Sequence, residues 1–242
     1  MALMQVRNLT LGSRLKDISF SVKAGTLLGI IGPNGSGKST LLHCLSGLST
    51  YQGEMTFAGQ SLAQMDVRAR AQSIGLMPQS CQSAWRLTVE DIVALGRLPW
   101  GDRHAKAIDW AMAQTQVAAL RHRVIDELSG GEQARVWMAR VIAGCPRLLL
   151  ADEPLASLDM KHQHSVLASL RNYLTEERAV VLAIHDLGLA ARYCEHLCLM
   201  HQGALFAAGP PRSVLTEDNL STVYGIPIHV DLDAPTPIIA VK

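Results

Sequence analysis

Gly32-Pro33-Asn34-Gly35-Ser36-Gly37-Lys38-Ser39 is the stretch on which the fold turns. It matches G-x-x-x-x-G-K-[ST], and its neighbours supply the setting this pattern needs. Before it, Thr26 to Ile31 is short, apolar and β-branched at its end, as a buried strand should be. After it, Leu41, Leu42, Leu45 and Leu48 form a helical stripe that Gly47 and Ser49 end, predicting a helix over Lys38 to Leu48. Glycines in such a loop let the backbone N–H groups turn inward and make a nest for phosphate oxygens. The positive N-terminal end of the helix adds to it. Lys38 then reaches the outer phosphates and Ser39 ligates Mg²⁺. The candidate phosphate-binding residues are Gly32, Pro33, Asn34, Gly35, Ser36, Gly37, Lys38, Ser39 and Thr40.

Leu148-Leu149-Leu150-Ala151-Asp152-Glu153-Pro154 reads as a second buried strand, ending in two carboxylates at the edge where parallel sheets bind ligands. Asp152 suits the Mg²⁺ shell, since hard cations take oxygen ligands and usually keep waters. Glu153 is then placed to orient or deprotonate an attacking water. The two motifs together say nucleotide hydrolase, with kinases and GTPases still open at this point.

The rest of the chain supports an α/β fold. Met4 to Leu9 and Ile18 to Val22 alternate as antiparallel strands do, and Gly53 to Ala58 is another short strand before a turn at Gly59. The region from about Gln82 to Glu127 is mainly helical in pattern, punctuated by Gly96, Pro99 and Gly101. A helix from about Met160 to Thr175 separates Leu148 to Ala151 from the apolar run Val180 to Ile184. Strand–helix–strand alternation of this kind means a parallel sheet covered by helices. After Gly209 the prolines at Pro210, Pro211, Pro227, Pro235 and Pro237 suggest a tail that wraps the surface.

Composition excludes more than it names. The 242 residues carry 22 Lys+Arg and 21 Asp+Glu, a formal charge of +1, which argues against a duplex nucleic-acid binder with a basic face. An apolar share of 48% is that of a packed globular chain. No run approaches the eighteen or so apolar residues that cross a bilayer, and Met1-Ala2-Leu3-Met4 opens without a signal-peptide pattern. The five cysteines, Cys44, Cys81, Cys145, Cys194 and Cys198, have no repeated short spacing and suit a reducing compartment, and Cys194 and Cys198 read as buried.

Leu128-Ser129-Gly130-Gly131-Glu132-Gln133 narrows the choice. Ser129 can cap a helix, Gly130 and Gly131 permit close backbone approach, and Glu132 opens the helix. Here the chain resembles the ATP-binding cassette (ABC) ATPases, whose signature this stretch matches. The other elements of that family follow in its order. Gln79, in Met77-Pro78-Gln79, is similar to the Q-loop, Ala156-Ser157-Leu158-Asp159 to the D-loop, and His185 to the switch histidine.

The resemblance implies an ABC cassette with a RecA-like P-loop NTPase core, a small antiparallel β subdomain and a helical signature subdomain. It sets residues 1–80 and 134–242 as core with β subdomain, 81–133 as the helical subdomain and about 209–242 as a C-terminal tail. It implies ATP and Mg²⁺ as cofactors and Glu153, His185 and Gln79 as catalytic residues. Ser39, Gln79 and Asp152 would face the metal. Two chains would sandwich two ATPs head to tail, with Ser129, Gly130, Gly131 and Asp159 completing the partner's site. His162 and His164, two apart on a helix, cannot face one ligand together and are read as surface residues.

One segment departs from the family. Where most members carry an aromatic residue that stacks on adenine, Leu9-Thr10-Leu11-Gly12-Ser13-Arg14 has none. Arg14 could stack on the base or Leu11 pack against it, and weak discrimination between ATP and GTP is the expectation. The stretch from Leu87 to Trp100 is similar to that of importers of iron–siderophore complexes, haem and cobalamin, as are Gly209-Pro210-Pro211 and Val223-Tyr224-Gly225-Ile226. Trp85, Leu98 and Trp100 either fill the core of the helical subdomain or face a partner. The implied protein is the ATPase subunit of a bacterial metal-chelate importer, peripheral to the cytoplasmic face of the inner membrane. Ferric-siderophore or ferric-citrate cargo is favoured, with haem and cobalamin as rivals. The implied partners are a second ATPase subunit, two permease subunits and, indirectly, a periplasmic or surface solute-binding protein, with no nucleic acid. The alternatives are an exporter ATPase or a soluble ABC protein acting on ribosomes or DNA.

Overall fold

In the computed structural model, which describes residues 2–81, 83–156 and 158–242, the chain folds around the strand read between Thr26 and Ile31. Three expectations touch residues outside that set. They are Met1 at the start of the chain, Gln82 at the start of the helical region, and Ser157 in the D-loop-like stretch.

β1 (Ala2–Leu11) and β2 (Leu15–Lys23) pair antiparallel, as their alternation predicts. β3 (Leu27–Ile31) runs through the glycine loop into α1 (Lys38–Leu45). β4 (Gln52–Phe57) and β5 (Gln60–Ser61) complete a four-stranded antiparallel sheet in the order β2-β1-β4-β5. α2 (Val67–Ser73), capped by the Asp66 carboxylate, leads into β6 (Ile74–Met77). α3 (Val89–Ala94), α4 (Ala105–Gln114) and α5 (Gly130–Ala143) pack together next. β7 (Leu148–Asp152), α6 (Met160–Tyr173), β8 (Ala179–Ala183), α7 (Leu187–Tyr193) and β9 (His196–His201) then alternate. β10 (Ala204–Gly209), α8 (Pro211–Val214), α9 (Glu217–Tyr224) and the hairpin of β11 (Ile228–Asp231) with β12 (Ile238–Val241) follow.

The main sheet has six strands in the order β10-β9-β3-β8-β7-β6, all parallel except β10. Its central strands are apolar throughout because both faces are covered. On β3, Leu27 and Ile31 join the apolar cluster under α3 to α7, whereas Leu28 and Ile30 join the cluster with α1 and the antiparallel sheet. β7 divides in the same way, with Leu149 and Ala151 on the first side and Leu148 and Leu150 on the second. The period of two, invisible as polarity, decides which layer each side chain holds. One edge of this sheet therefore gathers the C-terminal ends of β3, β6, β7, β8 and β9.

Several sequence expectations change. α1 stops at Leu45, with Gly47 at φ +73°, so Leu48 leaves the stripe and is 71% exposed. The tail after Gly209 forms two helices and a hairpin, and it buries Val214, Leu215, Leu220 and Val223. Pro210 and Pro211 sit at the cap and first turn of α8, where a missing N–H costs nothing. Cys194 and Cys198 are buried as expected, Cys198 within β9. His164 is half-buried against the Tyr193 hydroxyl at 2.7 Å, and His162 bonds the Asp159 carboxylate, so neither is a plain surface residue. Trp85 at 74% exposure and Leu98 at 69% face outward, and Trp100 is partly exposed, which removes the reading that they fill a core.

Gly96 lies in the 3₁₀ segment Leu95–Trp100, where a Cβ would stand 1.9 Å from the carbonyl oxygen of Arg140 on α5. Gly96→Ala is expected to cost about 3 kcal/mol, because backbone cannot yield as a side-chain tip can. Urea unfolding measures it, and a variant as stable as the parent contradicts this packing.

Candidate nucleotide-binding site

The glycine loop between β3 and α1 is held by its own backbone. Gly32 (φ +143°), Gly35 (φ +77°) and Gly37 (φ +105°) take conformations that side chains disfavour. At Gly32 a Cβ would also lie 2.3 Å from the Met200 carbonyl on β9. Gly37 caps α1, which starts with Lys38. Lys38 is buried and its Nζ donates to the carbonyls of Gly32 (2.9 Å) and Pro33 (3.2 Å). Burial lowers its pKa, while the charges of Glu153 and Asp152 act the other way.

The two carboxylates at the end of β7 differ sharply. Asp152 is buried and its Oδ1 has no hydrogen-bond partner among the described residues. Burial raises its pKa, the Ser39 hydroxyl opposes that shift, and the neighbouring Glu153 charge adds to it. Glu153 sits at φ +50°, a strained conformation for a non-glycine residue. One of its oxygens accepts from Gln79 Nε2 at 2.7 Å, and the other meets His185 Nε2. Gln79 follows β6 and His185 follows β8, so three strand ends converge on one carboxylate.

These groups open onto a cavity of about 830 Å³ lined by Asn34, Gly35, Gly37, Lys38, Ser39, Thr40, Gln79, Glu153 and His185. Ser36 and Asp152 lie buried beneath it, and the Ser36 hydroxyl also lacks a partner among the described residues. Gly32 is buried and Pro33 half-buried, at the root of the loop. Ser13, Arg14, Gln202 and Gly203 complete the cavity wall. Arg14 reaches the site, whereas Leu11 packs with the core behind it. Gln202 and Gly203 escaped the sequence reading, although a Gln-Gly pair between two apolar runs is a hairpin signal.

The signature residues stand outside this cavity. Ser129 caps α5 through a reciprocal capping box, its Oγ accepting from Glu132 N–H and Glu132 Oε2 accepting from Ser129 N–H at 2.9 Å. A Cβ on Gly130 would meet nothing within 4 Å, so this helix start presents bare backbone to solvent. Asp159 is likewise exposed, capping α6 by accepting from His162 N–H at 2.8 Å.

A glycine loop between a buried parallel strand and a helix, faced by strand-end carboxylates, defines a P-loop nucleotide-binding cassette of mixed α/β class. The chain belongs to the ABC transporter family, whose sequence model matches residues 15–156. It is 41% identical over 234 residues to the cobalamin import ATP-binding protein BtuD of Halobacterium salinarum, covering 94% of this chain and 59% of that protein. The chain thus spans about three-fifths of the length of that relative. It is 40% identical over 222 residues to the hemin import ATP-binding protein HmuV of Thermobifida fusca, covering 89% of this chain and 78% of the other. Among solved structures, an inward-facing metal-chelate type ABC transporter matches at 26% identity and a TM-score of 0.84, over 100% of this chain and 97% of the other.

The burial of Asp152 has a stability consequence. A carboxyl whose folded pKa is raised favours the fold only while protonated, and that advantage is lost as pH rises through the folded value. Above it the ionised, partnerless oxygen weakens the fold. Asp152→Asn is therefore expected to raise the melting temperature at neutral pH and to lose the advantage near pH 4. An unchanged or lower melting temperature at neutral pH contradicts this.

Proposed function

We propose that this chain is the ATP-hydrolysing subunit of an ABC importer that takes up a metal chelate through partner permease subunits. The observation that carries the proposal is the convergence of Gln79 and His185 on Glu153, beside Lys38, in one cavity. In this reading the amides from Gly32 to Thr40 bind the phosphates and Lys38 neutralises the outer ones. Glu153 takes the proton of the attacking water, while His185 and Gln79 hold its two oxygens in place. The residues present fit Mg²⁺: Asp152 Oδ1 is buried without a hydrogen-bond partner among the described residues, Ser39 lies beside it, and Gln79 keeps its carbonyl oxygen available. Bound there, Mg²⁺ would offset phosphate charge.

Each protomer would hold half a site. Ser129, Gly130 and Gly131 would reach the nucleotide held by Lys38 of a second copy, with Asp159 at the junction. Their bare, exposed helix start supports this reading, as does likeness to a dimeric cassette bound to ADP and phosphate, at 25% identity and a TM-score of 0.76 over 86% of this chain and 99% of the other. Residues 81–133 would form the subdomain that receives the permease, with 1–80 and 134–242 as core. Exposed Trp85, Leu98 and Leu48, around grooves between this subdomain and the core, support that assignment. No helix among the described residues is long and apolar enough to cross a membrane. In this reading force passes to permease subunits on the cytoplasmic side.

For the cargo, the names of the relatives favour a metal tetrapyrrole such as cobalamin or haem over the ferric siderophore or ferric citrate expected first. A solute-binding protein would deliver it to the permease.

Glu153→Gln is expected to lower phosphate release from ATP by at least about 100-fold while ATP still binds. Lys38→Ala should instead weaken ATP binding itself. Retained hydrolysis in Glu153→Gln removes the general-base assignment. Purification from membranes should bring down a permease, and a cassette recovered with an exporter would overturn the importer reading.

A further inference from the structure

Beyond the phosphates, the cavity wall is made by two hairpin turns locked to the glycine loop. The β1–β2 turn closes through Arg14 N–H to the Leu11 carbonyl at 3.0 Å. In the β9–β10 turn, Gly203 N–H donates to the Ser36 carbonyl at 3.1 Å, and Lys16 N–H donates to the Gly203 carbonyl at 2.8 Å. Ser36 belongs to the phosphate loop and Lys16 to β2, so Gly203 ties both to β9. No side chain fits there, since a Cβ on Gly203 would stand 2.5 Å from the Arg14 carbonyl and its φ is +81°. Gln202 beside it is itself held at φ +48°.

This tie fixes the backbone that carries two exposed side chains, Arg14 and Gln202, on the wall of the cavity that holds Lys38 and Ser39. Among the described residues no aromatic side chain lines that cavity. A base extending from bound phosphates toward this wall meets a planar guanidinium and a primary amide.

We propose that Arg14 and Gln202 form the base subsite, with Arg14 stacking on the ring and Gln202 reading its polar edge, and that the subsite accepts purines without choosing between adenine and guanine. This rests on the cavity being a nucleotide site. A guanidinium stacks on any aromatic face and is sequence-tolerant in doing so. A glutamine amide offers one acceptor and a pair of donors, and rotation by half a turn exchanges them. It therefore matches the donor–acceptor edge of adenine in one orientation and the reversed edge of guanine in the other. The staple at Gly203 fixes the backbone of Gln202 relative to the phosphate loop, so little order need be created on binding.

Displacement of a ribose-labelled fluorescent ATP analogue from the full chain, with Mg²⁺ present, tests this. ATP and GTP are expected to compete within about tenfold of each other. Gln202→Glu leaves only acceptors and is expected to change the ATP-to-GTP affinity ratio by about tenfold. Arg14→Ala is expected to weaken both nucleotides by about tenfold, with Arg14→Tyr restoring affinity and Arg14→Lys failing to do so. An unchanged ratio in Gln202→Glu overturns the edge-reading role. Rescue by Lys and not Tyr overturns the stacking role, because Arg14 would then act as a point charge. If inorganic tripolyphosphate competes as well as ATP, the base adds nothing and this inference falls alone. If the parent chain binds neither nucleotide, the nucleotide reading of the cavity falls with it.

Discussion

The passage of Gly32 against the Met200 carbonyl is the constraint on which the rest depends. With 2.3 Å between that oxygen and any added Cβ, the loop can leave β3 only as bare backbone. That close approach seats Ser36 beneath the cavity and turns Gly37 into the cap of α1. It also brings the β9–β10 turn within hydrogen-bond reach of the loop, at Gly203 to Ser36. One steric requirement thus aligns the phosphate nest, the helix end and the far wall of the cavity. The parallel sheet supplies the second half of the arrangement, because five strands ending at one edge deliver Gln79, Asp152, Glu153, His185 and the Met200 turn to the same place.

Electrostatics then divides labour among groups a few ångströms apart. Asp152 is desolvated, with its Oδ1 lacking a hydrogen-bond partner among the described residues, a state that weakens the fold and suits a cation. Glu153 is partly exposed, strained and gripped at both oxygens, which suits a group that must move a proton in a fixed direction. Lys38 is buried and among the described residues donates only to carbonyls, so its charge is available to an anion that enters. The net charge of +1 fits this design. In the proposed function a highly charged ligand would be met by oriented amides and one lysine, with no basic surface needed.

Much of the site was legible in the sequence because its chemistry fixes residue types at short spacings. The glycine loop, the carboxylate pair, Gln79 and His185 all stand where the motifs put them. The sheet was less legible. β9 is His196-Leu-Cys-Leu-Met-His, without a β-branched residue, and β10 is rich in alanine, so neither announces a strand. β6 is four residues long and includes Gly75, whose neighbours Val141 and Pro146 leave no room for a side chain. The prolines after Gly209 suggested a tail that wraps the surface and gave no sign of a helix, yet two of them begin one. Gln202 was invisible for a different reason. It is far from Arg14 in sequence, and only the closed sheet brings the two turns together.

The central claim is that the chain is half of a composite ATP site, with Lys38 on one copy facing Ser129 of another. Sedimentation of the Glu153→Gln chain with and without ATP and Mg²⁺ tests it most directly. The account predicts a single chain without nucleotide and a dimer with it, undone by Ser129→Arg. A chain that binds ATP yet sediments as a single copy under both conditions would contradict it.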